Sequence, residues 1–241
     1  SKGPVGRLST EGLKAVFEEF SAALGKGENA NFLRELFKSS YLNHNTLTEA
    51  TQFLTNELFK NEGLVIIDGD NKNLKKPFAP YIKNELINQT SFNEVNKTNS
   101  HLKDYKIQVN PREINVFYIL DNLRERIVFE KGSYSINNSN LKFSESEILT
   151  ELENYPERFS PNVILRPLYQ EVILPNLCYI GGGGELAYWL ELKSNFESNS
   201  VTFPILLLRN SVVVATEKQI KKADKLNLSW SDLFLNQEKL I

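Results

Sequence analysis

The sequence is poor in the residues that build disulfides and metal centres. Its 241 residues include one cysteine, two histidines and no methionine. The single cysteine, Cys178, can form neither an intrachain disulfide nor a multi-cysteine zinc site. His44 and His101 are too far apart in the sequence for ligand-like spacing, so we expect no bound metal. Cys178 lies among apolar residues, which predicts an inert, buried thiol.

Charge and hydropathy exclude further classes of protein. The chain carries 28 basic and 30 acidic residues, a net charge of −2, which argues against a general nucleic-acid-binding protein. No apolar run approaches the roughly 18 residues that a membrane helix needs, and the N-terminus lacks the residue order of a signal peptide. We therefore expect no nucleic-acid partner, no membrane span and a cytoplasmic location. Because an initiator methionine is absent and a predicted helix from Ser231 reaches Ile241, we also expect part of a longer protein.

Residues 1–105 form the first of three predicted segments and are mostly helical. Apolar residues recur at helical spacing over the first part of this segment, and Thr46 with Glu49 makes a capping-box pattern at a helix start. At 64–68 a continuous apolar run leads into Asp68-Gly69-Asp70, which predicts a buried strand followed by a turn. The turn lacks the glycine and glutamate that a calcium-binding loop needs at its later positions.

Residues 106–158, the second segment, predict a β-hairpin insertion and a short helix. Ile114–Leu120 and Arg126–Ile136 are rich in β-branched and aromatic residues, and Asp121-Asn122 between them suits a hairpin turn. A second capping box opens the short helix, predicted over Ser144–Leu152.

Residues 159–241, the third segment, alternate helices with strands. The predicted elements are a helix over Leu165–Val172, a strand over Leu177–Ile180, a glycine turn, a helix over Glu185–Phe196 and a strand over Phe203–Ala215. This rhythm is typical of a parallel α/β sheet. We therefore expect the α/β fold class, with a helical N-terminal segment.

The glycine turn is the most informative local feature. Glycines between a strand and a helix leave backbone N–H groups at a helix N-terminus, where the dipole favours anions and a ligand can approach the backbone closely. An acid at the helix start can accept a hydrogen bond from a ribose hydroxyl or a substrate ammonium. A tight turn with an acid that stabilises the dipole explains the same pattern, and both interpretations stay open. The candidate binding residues here are Gly181, Gly182, Gly183, Gly184 and Glu185.

A polar cluster in the preceding helix supplies further candidates. Arg166 and Gln170 are four residues apart and share a helix face. Arg166 can clamp a carboxylate with two hydrogen bonds, or it can belong to a buried structural ion pair. Tyr169 and Glu171 complete the cluster.

Two other pairs of residues admit both a binding and a structural interpretation. Tyr188 and Trp189 follow the glycine turn by one helical turn, where they can stack on a base or sugar or pack in the core. Arg209 and Asn210 interrupt an apolar strand, where polar residues either face a ligand or mark a bulge or strand end.

Several motifs in fixed order resemble one family over nearly the whole chain. They are Arg7-Leu8-Ser9-Thr10, Val65-Ile66-Ile67-Asp68-Gly69-Asp70, Asn88-Gln89-Thr90-Ser91-Phe92, Val109-Asn110-Pro111-Arg112-Glu113-Ile114-Asn115, Leu123-Arg124-Glu125-Arg126-Ile127, Ser160-Pro161-Asn162-Val163, Arg166-Pro167-Leu168-Tyr169-Gln170-Glu171, Tyr179 through Trp189 and Phe203 through Asn210. Together they resemble the BshC family, the cysteine-adding enzymes of bacillithiol biosynthesis. The family usually has a proline where this chain has Gly183, which loosens the loop without removing its N–H donors.

The resemblance implies a fold and an activity. The fold is a Rossmann-like core similar to class I aminoacyl-tRNA synthetases, with inserted connecting segments and a coiled coil for dimerisation. The activity is a ligase that joins L-cysteine to glucosaminyl-malate, and fold analogy adds ATP and a cysteinyl adenylate. In that scheme the glycine turn and Glu185 hold the ribose or the substrate amine, and Arg166 or Arg209 neutralises a carboxylate or a phosphate. The general base is not identified.

The resemblance also sets expectations for the chain as a part. It implies that these residues hold the second half of a split site, with a coiled coil after Ile241 and a homodimer for the complete protein. The chain alone is then expected to be inactive. Two other interpretations are a nucleotide-binding module without catalysis, consistent with Gly183 in place of proline, and a scaffold in which every motif is packing.

Overall fold

The computed structural model describes residues 3–102 and 104–239. These residues form two compact units, one that ends at Leu207 and one that begins at Leu208. The division of the sequence into 1–105, 106–158 and 159–241 stays a prediction. The α-helices are α1 (Leu13–Ala23), α2 (Glu28–Leu42), α3 (Leu47–Phe59), α4 (Lys72–Lys75), α5 (Ala79–Asn88), α6 (Thr90–His101), α7 (Glu145–Asn154), α8 (Arg166–Ile173), α9 (Gly183–Glu191), α10 (Lys193–Ser198) and α11 (Glu217–Lys225). The strands are β1 (Val116–Leu120), β2 (Leu123–Glu130), β3 (Ser133–Ile136), β4 (Lys142–Phe143), β5 (Phe159–Pro161), β6 (Cys178–Gly181) and β7 (Ile205–Leu208).

The N-terminal part is helical, as its periodicity predicts. The capping box at the start of α3 is present, because Glu49 N donates to Thr46 Oγ1 and Thr46 N donates to Glu49 Oε2, both at 3.2 Å. Arg34 on α2 holds the turn from α1, since its Nη2 donates to the carbonyl oxygens of Ser21 and Gly25 at 3.1 and 3.0 Å. These local bonds satisfy backbone groups that helix ends otherwise leave unpaired.

The middle of the chain forms a five-stranded sheet in the order β4-β3-β2-β1-β5. The predicted hairpin is confirmed, because Leu120 pairs with Leu123 across Asp121-Asn122. The β structure predicted over Arg126–Ile136 is confirmed but divided into two strands, because Lys131 and Gly132 adopt φ of 52° and 78° and turn the chain back between β2 and β3. Two consecutive positive φ values are those of the tight turn that suits the twist of a hairpin.

A buried carboxylate joins the helices to this sheet. Glu85 on α5 is 1% exposed, and its Oε1 accepts hydrogen bonds from Ser91 Oγ at 2.6 Å and from Asn115 N at 2.9 Å. Its Oε2 accepts from Ser91 N at 2.9 Å. A buried carboxyl group is tolerated when donors satisfy its oxygens in this way, so Glu85 fixes the start of α6 against the residues that lead into β1.

One expectation about the strands is wrong, and another stays a prediction. The pairings of β1 with β2 and β5, and of β3 with β2 and β4, are all antiparallel, as a hairpin insertion predicts. The parallel sheet was predicted for residues 159–241, whose strands β6 and β7 form a separate sheet, and that prediction stays open. The stretch 64–68 belongs to no strand among the described residues, and Leu64 and Val65 are 50% and 73% exposed. An apolar run becomes a buried strand only where neighbours pair with it and cover it, and the described residues provide neither. The α/β class itself is confirmed by the mixture of helices with the sheet.

The last predicted alternation is present with shifted limits. The predicted helix and strand before the glycines are α8 and β6, and β6 pairs with β7 in a second sheet. The predicted helix over Glu185–Phe196 instead starts at Gly183 and is interrupted at Leu192 between α9 and α10. Cys178 is exposed, contrary to the buried thiol expected, because its apolar neighbours in β6 are themselves uncovered, with Leu177 91% exposed.

The unit from Leu208 onward contains little regular structure. Its helix α11 begins with a capping box in which Gln219 N donates to Thr216 Oγ1 at 3.3 Å. The predicted strand over Phe203–Ala215 is wrong beyond Leu208, where Arg209-Asn210-Ser211 breaks the apolar run. The predicted helix over Ser231–Ile241 is also wrong in its described part, which holds two short 3₁₀ turns; residues 240 and 241 lie outside the described residues.

Candidate functional site

A cavity of about 390 Å³ lies in the first unit. Five parts of the chain supply its walls: the N-terminal residues, Thr48 of α3, the segment that ends in Asp68-Gly69-Asp70, residues of β1, β2 and β5 in the sheet, and α8 with Leu174 directly after it. Its volume falls in the range of small-molecule sites. The lining residues used below are Asp68, Gly69, Asp70, Ile119, Arg124, Arg166, Tyr169, Gln170, Ile173 and Leu174.

Helix α8 presents three of the predicted residues to this cavity. Pro167 lies in the first turn of the helix, where its missing N–H leaves no hydrogen bond unmade. Arg166, Tyr169 and Gln170 of this helix line the cavity. The Tyr169 hydroxyl donates to the Gly69 carbonyl oxygen at 2.9 Å. Burial, followed by the negative charges of Asp68 and Asp70, raises the pKa of Tyr169 to about 12.

The fourth predicted residue of this cluster, Glu171, lies elsewhere. Its side chain is 3% exposed and does not line the cavity. Its Oε2 accepts from Asn176 N at 2.8 Å, and its Oε1 accepts from Asn176 Nδ2 at 3.0 Å and Gln170 Nε2 at 3.2 Å. Glu171 therefore holds the loop between α8 and β6 in place, which is a structural role.

An ion-pair network forms the wall on the side of Asp70. Asp70 Oδ2 accepts from Arg7 Nε at 2.5 Å, and its Oδ1 is paired with Lys75 Nζ. Lys75 Nζ also donates to the Glu157 carbonyl oxygen at 2.9 Å. Burial alone would raise the pKa of Asp70, but the hydrogen bonds and charges of Arg7 and Lys75 outweigh it and lower that pKa. Burial lowers the pKa of Lys75 despite its carboxylate partner.

Two arginines of the cavity have no carboxylate partner among the described residues. Arg124 on β2 places its guanidinium over the Phe117 ring, 3.8 Å from the ring centre, a cation–π contact. The Arg166 side chain makes no ion pair or hydrogen bond within the described part of the chain. Both guanidiniums are therefore available to an anionic group.

The glycine turn divides into a packed half and an open half. A Cβ on Gly181 would lie 2.7 Å from Tyr179 Cε1, so packing requires glycine there. A Cβ on Gly183 or Gly184 would meet nothing within 4 Å, and no described residue accepts a hydrogen bond from their N–H groups. These two glycines open α9, so the space in front of its N-terminus suits an anionic or hydroxyl oxygen.

Glu185 is tied into the same turn. Its Oε2 accepts from Gly182 N at 2.8 Å, the reverse half of a capping box, and its Oε1 accepts from the Tyr179 hydroxyl at 3.2 Å. Burial raises the pKa of Tyr179. The neighbouring Tyr188 and Glu185 raise this pKa further, and the positive charge of Arg166 lowers it. The positive charge of Arg166 therefore acts on Tyr179, whose hydroxyl donates to Glu185.

The remaining candidates are placed as follows. Trp189 is fully buried and stacks on Tyr179 with 4.1 Å between ring centres, so it presents no surface to a ligand. Tyr188 is half-buried and packs against the core. Arg209 and Asn210 follow the end of β7 and belong to the second unit, and their binding role stays a prediction.

The sequence-based reasoning missed the acidic and basic residues around Asp70. Asp68, Asp70 and Arg124 line the cavity, and Lys75 is 2% exposed beside it. One signal was available, because two acids directly after an apolar run are typical of a site at the end of a strand. The other partners come from distant positions and carry no local signal.

Neither a membrane span nor a metal centre emerges from the described residues. No helix in the described ranges is both long and apolar enough to cross a bilayer. No group of three or more His, Cys, Asp or Glu side chains is arranged there to hold a metal ion.

Comparisons with known proteins assign the chain first to a class and then to a family. The mixture of helices and sheets defines an α/β protein. Residues 1–210 match the family described as "Bacillithiol biosynthesis BshC, N-terminal Rossmann-like domain", and this match assigns the Rossmann-like domain. The chain belongs to the BshC family. The match ends close to Leu207, where the first compact unit ends.

Relatives similar to this chain carry a name for the activity. A protein of Flavobacterium johnsoniae named "Putative cysteine ligase BshC" is 63% identical over the whole chain, which covers 46% of the relative. Proteins of the same name from Christiangramia forsetii and Bacillus cereus are 54% and 29% identical, over 100% and 95% of this chain and 45% and 44% of theirs. The chain thus spans just under half the length of these relatives.

Proposed function

We propose that this chain forms the Rossmann-like part of a ligase that joins L-cysteine to glucosaminyl-malate, the step that completes bacillithiol. The observation that carries the proposal is the 63% identity over all 241 residues to a protein named as a cysteine ligase. The cavity supports it, because Arg166, Tyr169 and Gln170 of one motif line a single cavity with Asp68 and Asp70 of another. The complete enzyme works in the cytoplasm and as a homodimer in this proposal.

Forming an amide from a free carboxylate requires activation, for which we propose ATP. The fit is favourable at the start of α9, where Gly183 and Gly184 leave open space and two N–H groups without an acceptor among the described residues. ATP would supply an adenylyl group to the cysteine carboxylate with release of pyrophosphate, and the glucosamine amine would displace AMP from this cysteinyl adenylate. The chain's own part is to bind and orient: backbone N–H groups at Gly183 and Gly184, Glu185 beside them, and the Arg166 guanidinium for developing negative charge.

A second function, a nucleotide-binding module without catalysis, is favoured by one observation. Gly183 replaces the proline that the resemblance predicts, and glycine in a helix start is less rigid than proline. A loop of this kind keeps its N–H donors but positions a nucleotide less firmly, which affects a reaction more than it affects binding.

The test uses the full-length protein that contains this sequence. It is incubated with cysteine, glucosaminyl-malate and ATP, with each component omitted in turn, and bacillithiol is detected by mass. Product that depends on all three supports the ligase with its adenylate, and product without ATP keeps the ligase but rejects the adenylate. Nucleotide binding without product in any mixture supports the module instead. The isolated chain of 241 residues is expected to form no product in the same assay.

A further inference from the structure

One carboxylate of the cavity, that of Asp68, has no cationic partner among the described residues. Asp68 Oδ1 accepts from Asp70 N at 2.9 Å, and no described Lys, Arg or His forms an ion pair with Asp68. Asp70 differs, because Arg7 and Lys75 occupy both of its oxygens. Asp68 is therefore the acid of this cavity that can receive a positive group of a ligand.

The same cavity contains two guanidiniums without an anionic partner among the described residues. The guanidinium of Arg124 lies over the Phe117 ring, whereas that of Arg166 makes no such contact with a described aromatic ring. Arg166 lines the wall from the first turn of α8, and it forms no ion pair with a described residue. It does not neutralise Asp68, so two opposite charges line one cavity without pairing with each other. Such an arrangement is complementary to a small ligand that carries an ammonium and a carboxylate on one carbon atom.

The rest of the wall is suited to a short side chain. Ile119, Ile173 and Leu174 add apolar surface, and Gln170 adds an amide. The Tyr169 ring lies between the acidic segment and α8, where its hydrogen bond to the Gly69 carbonyl fixes the distance between the two charged walls. The volume of about 390 Å³ is ample for a small amino acid.

We infer that this cavity binds a zwitterionic α-amino acid, with its ammonium on Asp68 and its carboxylate on Arg166. The inference deepens the proposed function and rests on it in one respect, since under that function the amino acid is L-cysteine. The position of the charges, not the thiol, determines binding. Asp68 and Arg166 are binding residues, and Asp70 with Lys75 positions the acidic segment.

The first experiment trims the ligand and leaves the protein unchanged. Binding of L-cysteine to the full-length protein is measured by calorimetry without ATP, beside cysteamine, which lacks the carboxylate, and 3-mercaptopropionate, which lacks the ammonium. Each trimmed compound is expected to bind roughly tenfold to a hundredfold more weakly, because it loses a charge-assisted hydrogen bond. L-serine, which keeps both charges, is expected to bind within about threefold of L-cysteine, a factor that hydrogen-bond differences of a few tenths of a kcal/mol produce.

The second experiment removes each protein charge in turn. Asp68→Asn keeps the Oδ1 acceptor for Asp70 N. It is expected to weaken the binding of L-cysteine about tenfold and to leave the binding of 3-mercaptopropionate unchanged. Arg166→Gln is also expected to weaken the binding of L-cysteine about tenfold, and to leave the binding of cysteamine unchanged. The matched controls are Asp104→Asn and Arg126→Gln, at two exposed positions outside the cavity. Neither control should change the binding of L-cysteine or of the two compounds that lack one charge.

The outcomes separate this inference from the proposed function. If 3-mercaptopropionate or L-malate binds as tightly as L-cysteine, or if L-cysteine does not bind at millimolar concentration, the zwitterion site is overturned. If the wild type forms bacillithiol but both variants bind L-cysteine normally, this inference is overturned and the proposed ligase function stands. The expected binding pattern without any bacillithiol keeps the site and removes the ligase.

Discussion

Lys75 and Asp70 form an ion pair in which the ammonium is almost completely removed from solvent. The Lys75 side chain is 2% exposed and the Asp70 side chain 28% exposed. Arg7 shares the carboxylate from the far end of the sequence. Because Asp70 also lines the cavity, the pair links the stability of this unit to the shape of its candidate site.

Replacement of Asp70 by Asn should destabilise the protein. The change leaves the Lys75 ammonium buried without a negative partner, and a broken buried pair costs about 3 kcal/mol. Urea unfolding at neutral pH measures this loss. Asp104→Asn, at an exposed position that forms no ion pair with a described residue, should change the free energy of unfolding by less than about 0.5 kcal/mol. Equal effects of the two variants would contradict the role of the pair.

The contribution of Asp70 to the free energy of unfolding should also decrease at acidic pH. Its pKa in the folded protein lies below the ordinary value of 3.8, so its stabilisation is present above 3.8 and is lost as the pH falls through the folded pKa. The difference in unfolding free energy between the wild type and Asp70→Asn should therefore be constant from neutral pH to about pH 5 and then shrink. A difference that grows on acidification would refute this assignment.

Replacement of Tyr169 by Phe tests the contact between α8 and the acidic segment. The change leaves the Gly69 carbonyl without its donor and should cost about 1–2 kcal/mol at neutral pH. The folded pKa of about 12 exceeds the ordinary 10, so this stabilisation is present below pH 10 and is lost as the pH rises toward 12. Urea unfolding should show that the difference in unfolding free energy between the wild type and Tyr169→Phe is smaller at alkaline than at neutral pH. Tyr105→Phe, at a position 74% exposed, is the control and should show neither effect.

Features that depend on neighbouring residues in the sequence were predictable. The capping boxes at Thr46 and Ser144 form as the sequence indicates, because both partners lie within one helical turn. The hairpin at Asp121-Asn122 and helix α8 with its early Pro167 follow from equally local signals. The turn at Lys131–Gly132 was missed although a glycine after a lysine in a β-rich run is itself a turn signal.

Features that depend on which segments meet were not predictable from one sequence. The run at 64–68 has the pattern of a buried strand, but burial depends on partners that a local pattern does not specify. The same limit applies to the site. Arg166 could be singled out from its own motif, whereas its cavity neighbours Asp68 and Arg124 lie about a hundred and about forty residues away and meet it only through the fold.

The glycine turn gives a prediction in which two similar substitutions have opposite effects. Gly181→Ala places a Cβ 2.7 Å from the Tyr179 ring, which stacks on Trp189, so overpacking should cost about 1–3 kcal/mol. Gly183→Ala adds a methyl group in open space inside a helix and should stabilise the protein by about 0.5–1 kcal/mol. Thermal unfolding of both variants measures the difference.

Nucleotide titration of the same two variants tests why Gly183 is not alanine. If the open space receives a ligand, Gly183→Ala should weaken nucleotide binding while it raises the melting temperature. A variant that is more stable and binds as well as the wild type would show that the glycine is not retained for a nucleotide.

Replacement of Glu185 by Gln tests whether the acid of the glycine turn does more than cap its helix. The amide keeps an oxygen for the Gly182 N–H or the Tyr179 hydroxyl, so the stability loss should stay near 1 kcal/mol, the value of one hydrogen bond. Under the proposed function the lost charge should lower the rate of bacillithiol formation by roughly tenfold or more, because a ribose hydroxyl or an ammonium loses a charged acceptor. Glu145→Gln, which removes an exposed acid from the first turn of α7, controls for the helix dipole. A full rate in Glu185→Gln with the same small stability loss as in Glu145→Gln would show that Glu185 only caps α9.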